Sequence, residues 1–343
     1  MLTPPAISAA TIAACLRADY SLRVDHVTFL PIGADANAAV YRIDTGRDAS
    51  YFLKLKRGDF AEIAVAVPAF LSQQGIQQVM APLETIFHQL WSRQHGFTWI
   101  LYPFFEGPNG FATPLTAAQW ITLGRSLRAV HAAVLPPALA AHVPREVYAP
   151  QWRDQVMAFD QQVAAGDYDH PADDPLARRL AAFWRTRRDE IRTLVERSEQ
   201  LGQMLRQRTG ASDAFVLCHT DLHAGNVLLC ADDELAIVDW DAPIFAPKER
   251  DLMFMGGGIG AIWDSVREEA LFYQGYGATE IDPVALSYYR YERIVEDLAA
   301  YGEQIFEAQG SAEDREHGLV GTIGQFNPGR VVSIAHQTYE RVS

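Results

Sequence analysis

The chain has 343 residues, 49% hydrophobic and 21% charged. That is the balance of a folded protein with a sizeable core, and at roughly 150 residues per domain it predicts two compact parts and excludes disordered and fibrous classes. Acidic residues outnumber basic ones 43 to 29, giving a formal charge of −14, a field that disfavours nucleic-acid binding but suits a cationic small-molecule partner.

Three scattered cysteines, Cys15, Cys218 and Cys230, fit neither a disulfide scaffold nor a metal knuckle and predict reduced thiols in cytoplasm. No apolar run approaches the roughly 18 residues that span a bilayer, so no membrane partner is expected. Ile12, Leu16 and Tyr20 recur at four-residue spacing and predict a first helix with one apolar face. Ile12-Ala13-Ala14-Cys15 has the outline of a lipoprotein cleavage box, but no Lys or Arg precedes it and Pro4 and Pro5 interrupt the start, so it reads as helix.

Residues 24–56 predict three strands, with turns at Gly33-Ala34-Asp35-Ala36-Asn37 and Thr45-Gly46-Arg47-Asp48. Along Tyr51-Phe52-Leu53-Lys54-Leu55-Lys56, alternation puts Phe52, Lys54 and Lys56 on one face and the other three on the opposite face. A helix containing Glu62 and Ile63 follows, kinked or interrupted at Pro68, and strand-like runs at 78–81 and 97–102 complete a small five-stranded lobe. Residues 103–114, rich in Gly, Pro and Asn, predict a connector.

Beyond the connector the pattern turns helical. Thr116-Ala117-Ala118-Gln119 is a capping box opening a helix, and helical periodicity recurs over 150–165, 176–207, 264–275 and 284–307. Short apolar runs at 215–218, 226–229 and 235–238 read as strands. The expectation is an α+β fold, with a mainly antiparallel β lobe over residues 1–105 and a larger helical lobe over residues 106–343.

The chemistry concentrates in His219-Thr220-Asp221-Leu222-His223-Ala224-Gly225-Asn226, followed by the apolar run into Asp239. Phosphoryl transfer from a nucleotide needs an acceptor for the incoming hydroxyl's proton and oxygen ligands for the magnesium that neutralises the phosphates. Asp221 suits the first task; Asn226 and Asp239, hard oxygen donors, suit the second. A zinc site on His219 and His223 needs them on a helix, whereas they flank a strand-to-loop junction. Gly256-Gly257-Gly258-Ile259-Gly260-Ala261 matches a dinucleotide fingerprint but lacks the strand-turn-helix frame, and reads as close packing. No Gly-Lys-Ser/Thr follows a glycine cluster, which excludes a P-loop, and Cys218 reads as a buried strand thiol.

On these residues the loop resembles the motif of the aminoglycoside phosphotransferase family, whose fold is similar to that of protein kinases. A narrower resemblance, to spectinomycin phosphotransferases, is carried by the segment from Gly33 to Asn37, the strand from Tyr51 to Lys56, Pro108-Asn109-Gly110-Phe111, Ala246-Pro247-Lys248-Glu249-Arg250-Asp251-Leu252-Met253-Phe254 and Glu292-Arg293-Ile294-Val295-Glu296-Asp297. The resemblance covers nearly the whole chain. It implies a two-lobed kinase-like fold, ATP with one or two Mg²⁺ ions, and transfer to a hydroxyl of a cationic aminocyclitol antibiotic, with resistance as the consequence.

Residue by residue, the resemblance makes Lys54 the nucleotide lysine and Glu62 its helix partner, with Lys56 a rival on the same face. Lys54 lies deeper in the apolar run, which favours it. By the same register Tyr102, Pro103 and Phe105 form the adenine hinge, Pro103 offering its carbonyl and Phe105 its N–H. The first turn has one glycine instead of the kinase loop's three, leaving the Asn37 side chain to help hold phosphates; Trp240 replaces a phenylalanine, and no A-P-E segment follows, so a protein substrate is disfavoured. Asp241, Glu249, Asp251, Asp264, Glu268, Glu269, Glu292, Glu296, Asp297, Trp263, Tyr288 and Tyr289 are acceptor-contact candidates, with ordinary surface pairs to Arg290 and Arg293 the alternative for Glu292 and Glu296, and a brace for the catalytic loop the reading that the resemblance favours for Asp251. Sequence leaves open ATP or GTP, and leaves two alternative functions: a kinase of a choline- or homoserine-like alcohol, and a non-catalytic nucleotide-binding regulator.

Overall fold

Ser8 starts the first element by accepting the Thr11 N–H at 3.0 Å, and α1 (Ala9–Tyr20) follows with Ile12 and Leu16 fully buried. The computed structural model describes residues 4–33, 37–46, 49–170, 174–208, 215–230, 233–257 and 262–342. Residues 34–36 and 47–48 of the two expected turns and 258–261 of the glycine cluster lie outside the described residues.

Three strands, β1 (Val24–Leu30), β2 (Ala38–Thr45) and β3 (Ala49–Arg57), are followed by α2 (Ile63–Gln73), which continues through Pro68. β4 (Ser92–Gln94) and β5 (Phe97–Pro103) complete a five-stranded sheet of order β1-β2-β3-β5-β4, every pair antiparallel. One face packs on α1: Leu53, Leu55, Tyr41, Ile43, Trp99 and Leu101 close on Ile12, Cys15 and Leu16. Strand alternation therefore sends Phe52, Lys54 and Lys56 to the other face, and register sets Lys54 opposite Val40 and Phe52 opposite Tyr102.

The fifth strand corrects the sequence reading. Residues 78–81 do not join this sheet, because their backbone is engaged by Ile237: Gln78 O accepts the Ile237 N–H at 2.6 Å and Met80 N–H donates to Ile237 O at 3.1 Å. The sheet is completed instead by β4, turned into β5 by His95 and Gly96, both at positive φ (52° and 77°), as a two-residue hairpin turn requires.

Further along, the capping box opens α3 (Ala117–Ala132), with Thr116 Oγ1 accepting from Gln119 N and Gln119 Oε1 from Thr116 N. α4 (Pro137–Ala140), α5 (Gln151–Ala165) and α6 (Pro175–Arg206) follow. Next come the short strands β6 (Val216–Cys218), β7 (Val227–Leu229), β8 (Leu235–Ile237) and β9 (Ile244–Ala246), with β7 paired to β8 and β6 to β9. The chain ends in α7 (Glu249–Leu252), α8 (Val266–Tyr276), α9 (Pro283–Phe306), α10 (Ala312–Gln325) and α11 (Val331–Tyr339).

By its contacts the chain forms two compact units, one of Met1–Pro144, His219–Ile244 and Leu271–Gly277, the other of Arg145–Cys218, Phe245–Ala270 and Ala278–Ser343. The boundary expected between residues 105 and 106 falls inside the first unit. In the second, α9 is central and packs on α5, α6, α7, α10 and α11. Among the described residues, no helix is long and apolar enough to cross a membrane.

Candidate active site

The site lies wholly within the first unit. The connector bridges to the β7–β8 hairpin: Pro108 O accepts the Leu229 N–H at 2.8 Å, and the Gly110 N–H reaches Ala224 O and Val227 O at 2.9 and 3.0 Å. Between the hairpin, the connector and the polar face of β3 is a cavity of about 310 Å³. Its apolar lining includes Val40, Phe52, Met80, Tyr102, Leu228 and Val238, and its polar lining includes Lys54, Asn109, Asn226, Asp239 and Asp241. Pro103 and Phe105 also line it. An apolar slot with charged groups is what a planar base carrying phosphates needs.

His219 braces the loop. Its Nδ1 accepts the Asp221 N–H at 3.2 Å, so the neutral ring carries its proton on Nε2, which donates to Val238 O at 2.9 Å. One ring thereby ties Asp221 to the residue preceding Asp239. Its edge packs on Trp240 at 4.5 Å between centroids. Asn226 is held in the 3₁₀ turn Ala224–Asn226, its Nδ2 donating to Asp221 O at 2.8 Å and approaching Asp221 Oδ2 at 3.4 Å. Since the amide nitrogen serves Asp221, the oxygen is the end left to serve as a metal ligand. Thr220 (φ 80°) and Asp239 (φ 66°) both adopt left-handed backbone that costs a non-glycine residue about 1–3 kcal/mol, strain concentrated in the two turns that carry the acidic groups.

Lys54 Nζ sits 2.9 Å from Asp239 Oδ1 and 2.8 Å from Asp241 Oδ1, and Lys56 Nζ 2.9 Å from Asp241 Oδ2. Burial alone would depress the Lys54 ammonium, but the two carboxylates reverse this and hold its pKa above the ordinary lysine value. Partial burial would raise Asp241, yet the two lysines pull its carboxyl down to about 2. Burial, resisted by Lys54, pushes the Tyr102 phenol up.

The sequence-predicted residues divide accordingly. Lys54, Asn226, Asp239, Tyr102, Pro103 and Phe105 line one cavity, and Asp221 is bonded to Asn226 at its edge. Glu62 does not join Lys54: it stands exposed at the N-cap of α2, and the counter-charges on that lysine are Asp239 and Asp241. Asn37 is an exposed turn residue whose carbonyl accepts the Arg57 N–H at 2.9 Å. Asp241, read as an acceptor candidate, clasps the two lysines instead. Its signal was available: two acids separated by one residue after an apolar strand, facing two lysines spaced the same way.

In the second unit, Tyr288, Tyr289 and Trp263 are buried. The surface pairs expected for Glu292 and Glu296 are also replaced. Glu292 takes the buried Arg153 at 2.6 Å and Ser198, Glu296 takes Arg250 at 3.4 Å, and Arg290 donates to the Met253 and Met255 carbonyls. Cys218 is a buried strand thiol near the Ala246 and Pro247 carbonyls, its pKa pushed well up by burial.

Residues 28–284 match the phosphotransferase enzyme family. A crystal structure of a spectinomycin phosphotransferase in complex with ADP and spectinomycin is 37% identical, with a TM-score of 0.90 over 98% of this chain and 100% of that one. Its AMP-bound complex gives 36% identity and a TM-score of 0.85 over 96% and 98%. An amicoumacin kinase in complex with AMP-PNP is 17% identical, with a TM-score of 0.60 over 96% and 97%, and shares the fold. Comparison with curated protein sequences found no match.

Proposed function

We infer that this chain, which belongs to the phosphotransferase enzyme family, transfers the γ-phosphoryl group of ATP to a hydroxyl of spectinomycin or a closely related aminocyclitol. The observation that carries the acceptor is the 37% identity to a spectinomycin phosphotransferase sustained over 98% of the chain. In a cytoplasmic setting the result is resistance to the antibiotic.

The residues then take the following roles. Asp221 meets the acceptor hydroxyl and takes its proton as the oxygen bonds to the γ-phosphorus and the bond to the β-phosphate oxygen breaks, releasing ADP. Lys54 leaves its two aspartates for the phosphates. Asn226 and Asp239 would hold Mg²⁺, whose charge neutralises the phosphate oxygens; their oxygen donors fit that ion and suit zinc poorly. The base occupies the apolar slot beside Phe52 and Tyr102, bonded to the Pro103 carbonyl and the Phe105 N–H. Residues 1–105 thus serve the nucleotide, with Asn37 and Glu62 at its margin, and residues 106–343 the catalytic loop and the acceptor.

The test is ADP release with Mg²⁺ and ATP across a panel of spectinomycin, other aminocyclitols, aminoglycosides, choline, ethanolamine and homoserine, scored against the no-acceptor rate. Spectinomycin should exceed the amino alcohols in kcat/KM by at least about a hundredfold. Stimulation by an amino alcohol alone would reassign the acceptor class.

A further inference from the structure

The second histidine of the loop has a place in this chemistry. The Gly225 N–H donates to His223 Nδ1 at 2.9 Å, so that nitrogen carries a lone pair and the neutral ring bears its proton on Nε2. Nε2 faces Asp221 Oδ2 at 3.6 Å, a separation slightly longer than a hydrogen bond, of the kind that tightens when substrate binds. The same oxygen is approached by Asn226 Nδ2 at 3.4 Å. Two donors therefore converge on Oδ2.

The ring is packed against Phe111 and Gly225. Phe111 lies against it with centroids 5.4 Å apart and planes 33° apart, and the Phe111 and Ala112 N–H groups are fixed by Asn109 Oδ1 at 3.1 Å each. A Cβ on Gly225 would stand 2.7 Å from both His223 Cε1 and Phe111 Cε2, so glycine at that position is what lets the two rings close over the turn.

We propose that His223 is a positioning residue for Asp221: its Nε2–H fixes Oδ2 together with Asn226 and so turns Oδ1 to the acceptor hydroxyl. This rests on Asp221 being the group that takes the hydroxyl proton. A carboxylate rotating freely presents its oxygens in many directions, whereas one pinned at Oδ2 presents a single lone pair along the line of transfer.

Steady-state ADP release with Mg²⁺, ATP and spectinomycin tests it, using His223→Ala, His223→Gln, His223→Asn, Asp221→Asn and the Asp221→Asn/His223→Ala pair. Glutamine carries its N–H where Nε2 stands, and asparagine carries its amide where Nδ1 stands. His223→Ala should lower kcat about tenfold with the nucleotide KM changed less than about twofold. His223→Gln should recover most of that loss and His223→Asn should not. In the Asp221→Asn background, His223→Ala should cost less than about twofold, because nothing remains to orient. An undiminished tenfold loss in that background, equal rescue by asparagine, or a rise in nucleotide KM matching the fall in kcat overturns the proposal. If His223→Ala does not fold, the glutamine–asparagine comparison decides alone. Wild-type turnover in Asp221→Asn would overturn the assignment of Asp221 itself, whereas wild-type turnover in His223→Ala beside a crippled Asp221→Asn would overturn only the role of His223.

Discussion

Lys54 and Lys56 share a face, a spacing and a partner, yet their charges are not equivalent. Lys54 bridges Asp239 and Asp241, with 12% of its side chain exposed; Lys56 holds Asp241 and is 22% exposed. Lys54 reaches the aspartate assigned to metal. Lys54→Met should raise the nucleotide KM and depress turnover by about a hundredfold or more, since it also leaves two carboxylates facing phosphate. Lys56→Met leaves Asp241 held by Lys54 and should change either constant by less than about threefold. Equal or reversed effects would move the phosphate role to Lys56. Asp241 adds a pH signature. Its native pKa is depressed to about 2 from an ordinary 3.8, so the stability it contributes is present above about pH 4 and lost as pH falls toward 2. Solvent reaches about a third of its side chain, which reduces the contribution to about 1–2 kcal/mol. The stability gap between wild type and Asp241→Asn in urea unfolding should therefore shrink below pH 4, and a gap constant from pH 6 to 2.5 would contradict the ion-pair account.

Helix α9 shows what a periodic sequence tells and what it withholds. Four-residue spacing placed Glu292 and Glu296 on one face, but spacing cannot say whether that face meets water or another helix. Here Glu292 meets Arg153 of α5, 2% exposed, and Ser198 of α6, while Arg293, 26% exposed, makes an ordinary i,i+4 pair with Asp297 at 3.1 Å. Glu292→Ala should destabilise by about 2–4 kcal/mol, because Arg153 keeps Glu199 and the Tyr148 and Ala149 carbonyls but loses its buried charge partner. Arg293→Ala should cost under about 1 kcal/mol. Comparable losses in denaturant unfolding would mean that burial does not set the difference. The same limit explains the fifth strand: residues 78–81 have strand-like composition, but which backbone they bond is a long-range fact, whereas β4 is three residues long and carries its signal mainly in the His95-Gly96 turn. The catalytic loop was legible because its chemistry is local, with Asp221 and Asn226 bonded within one turn. The counter-ions of Lys54, Asp239 and Asp241, had only a matching two-residue spacing to signal them, since they arrive from 185 and 187 residues away.

At the scale of the molecule, the chain passes between its two units at 144/145, 218/219, 244/245, 270/271 and 277/278. The residues that line the cavity fall in two stretches, 32–109 and 225–241, so neither stretch alone contains it. The surplus of 43 acidic over 29 basic residues is also a whole-chain property, and it acts with opposite sign on the two substrates of the proposed reaction. An aminocyclitol with protonated amines is drawn to a field of −14, and Mg·ATP, a net anion, is repelled by it. Lys54 attracts the phosphates only at contact, because its charge is offset by Asp239 and Asp241 until the nucleotide displaces them. Raising ionic strength from about 0.05 to about 0.5 M shortens the screening length from more than 10 Å to less than 5 Å and removes the long-range part of both effects. kcat/KM for spectinomycin should then fall several-fold, while kcat/KM for Mg·ATP should hold or rise. A parallel fall for both substrates, measured with the other saturating, would show that local contacts alone govern encounter and that the acidic surplus plays no part in bringing the acceptor to Asp221.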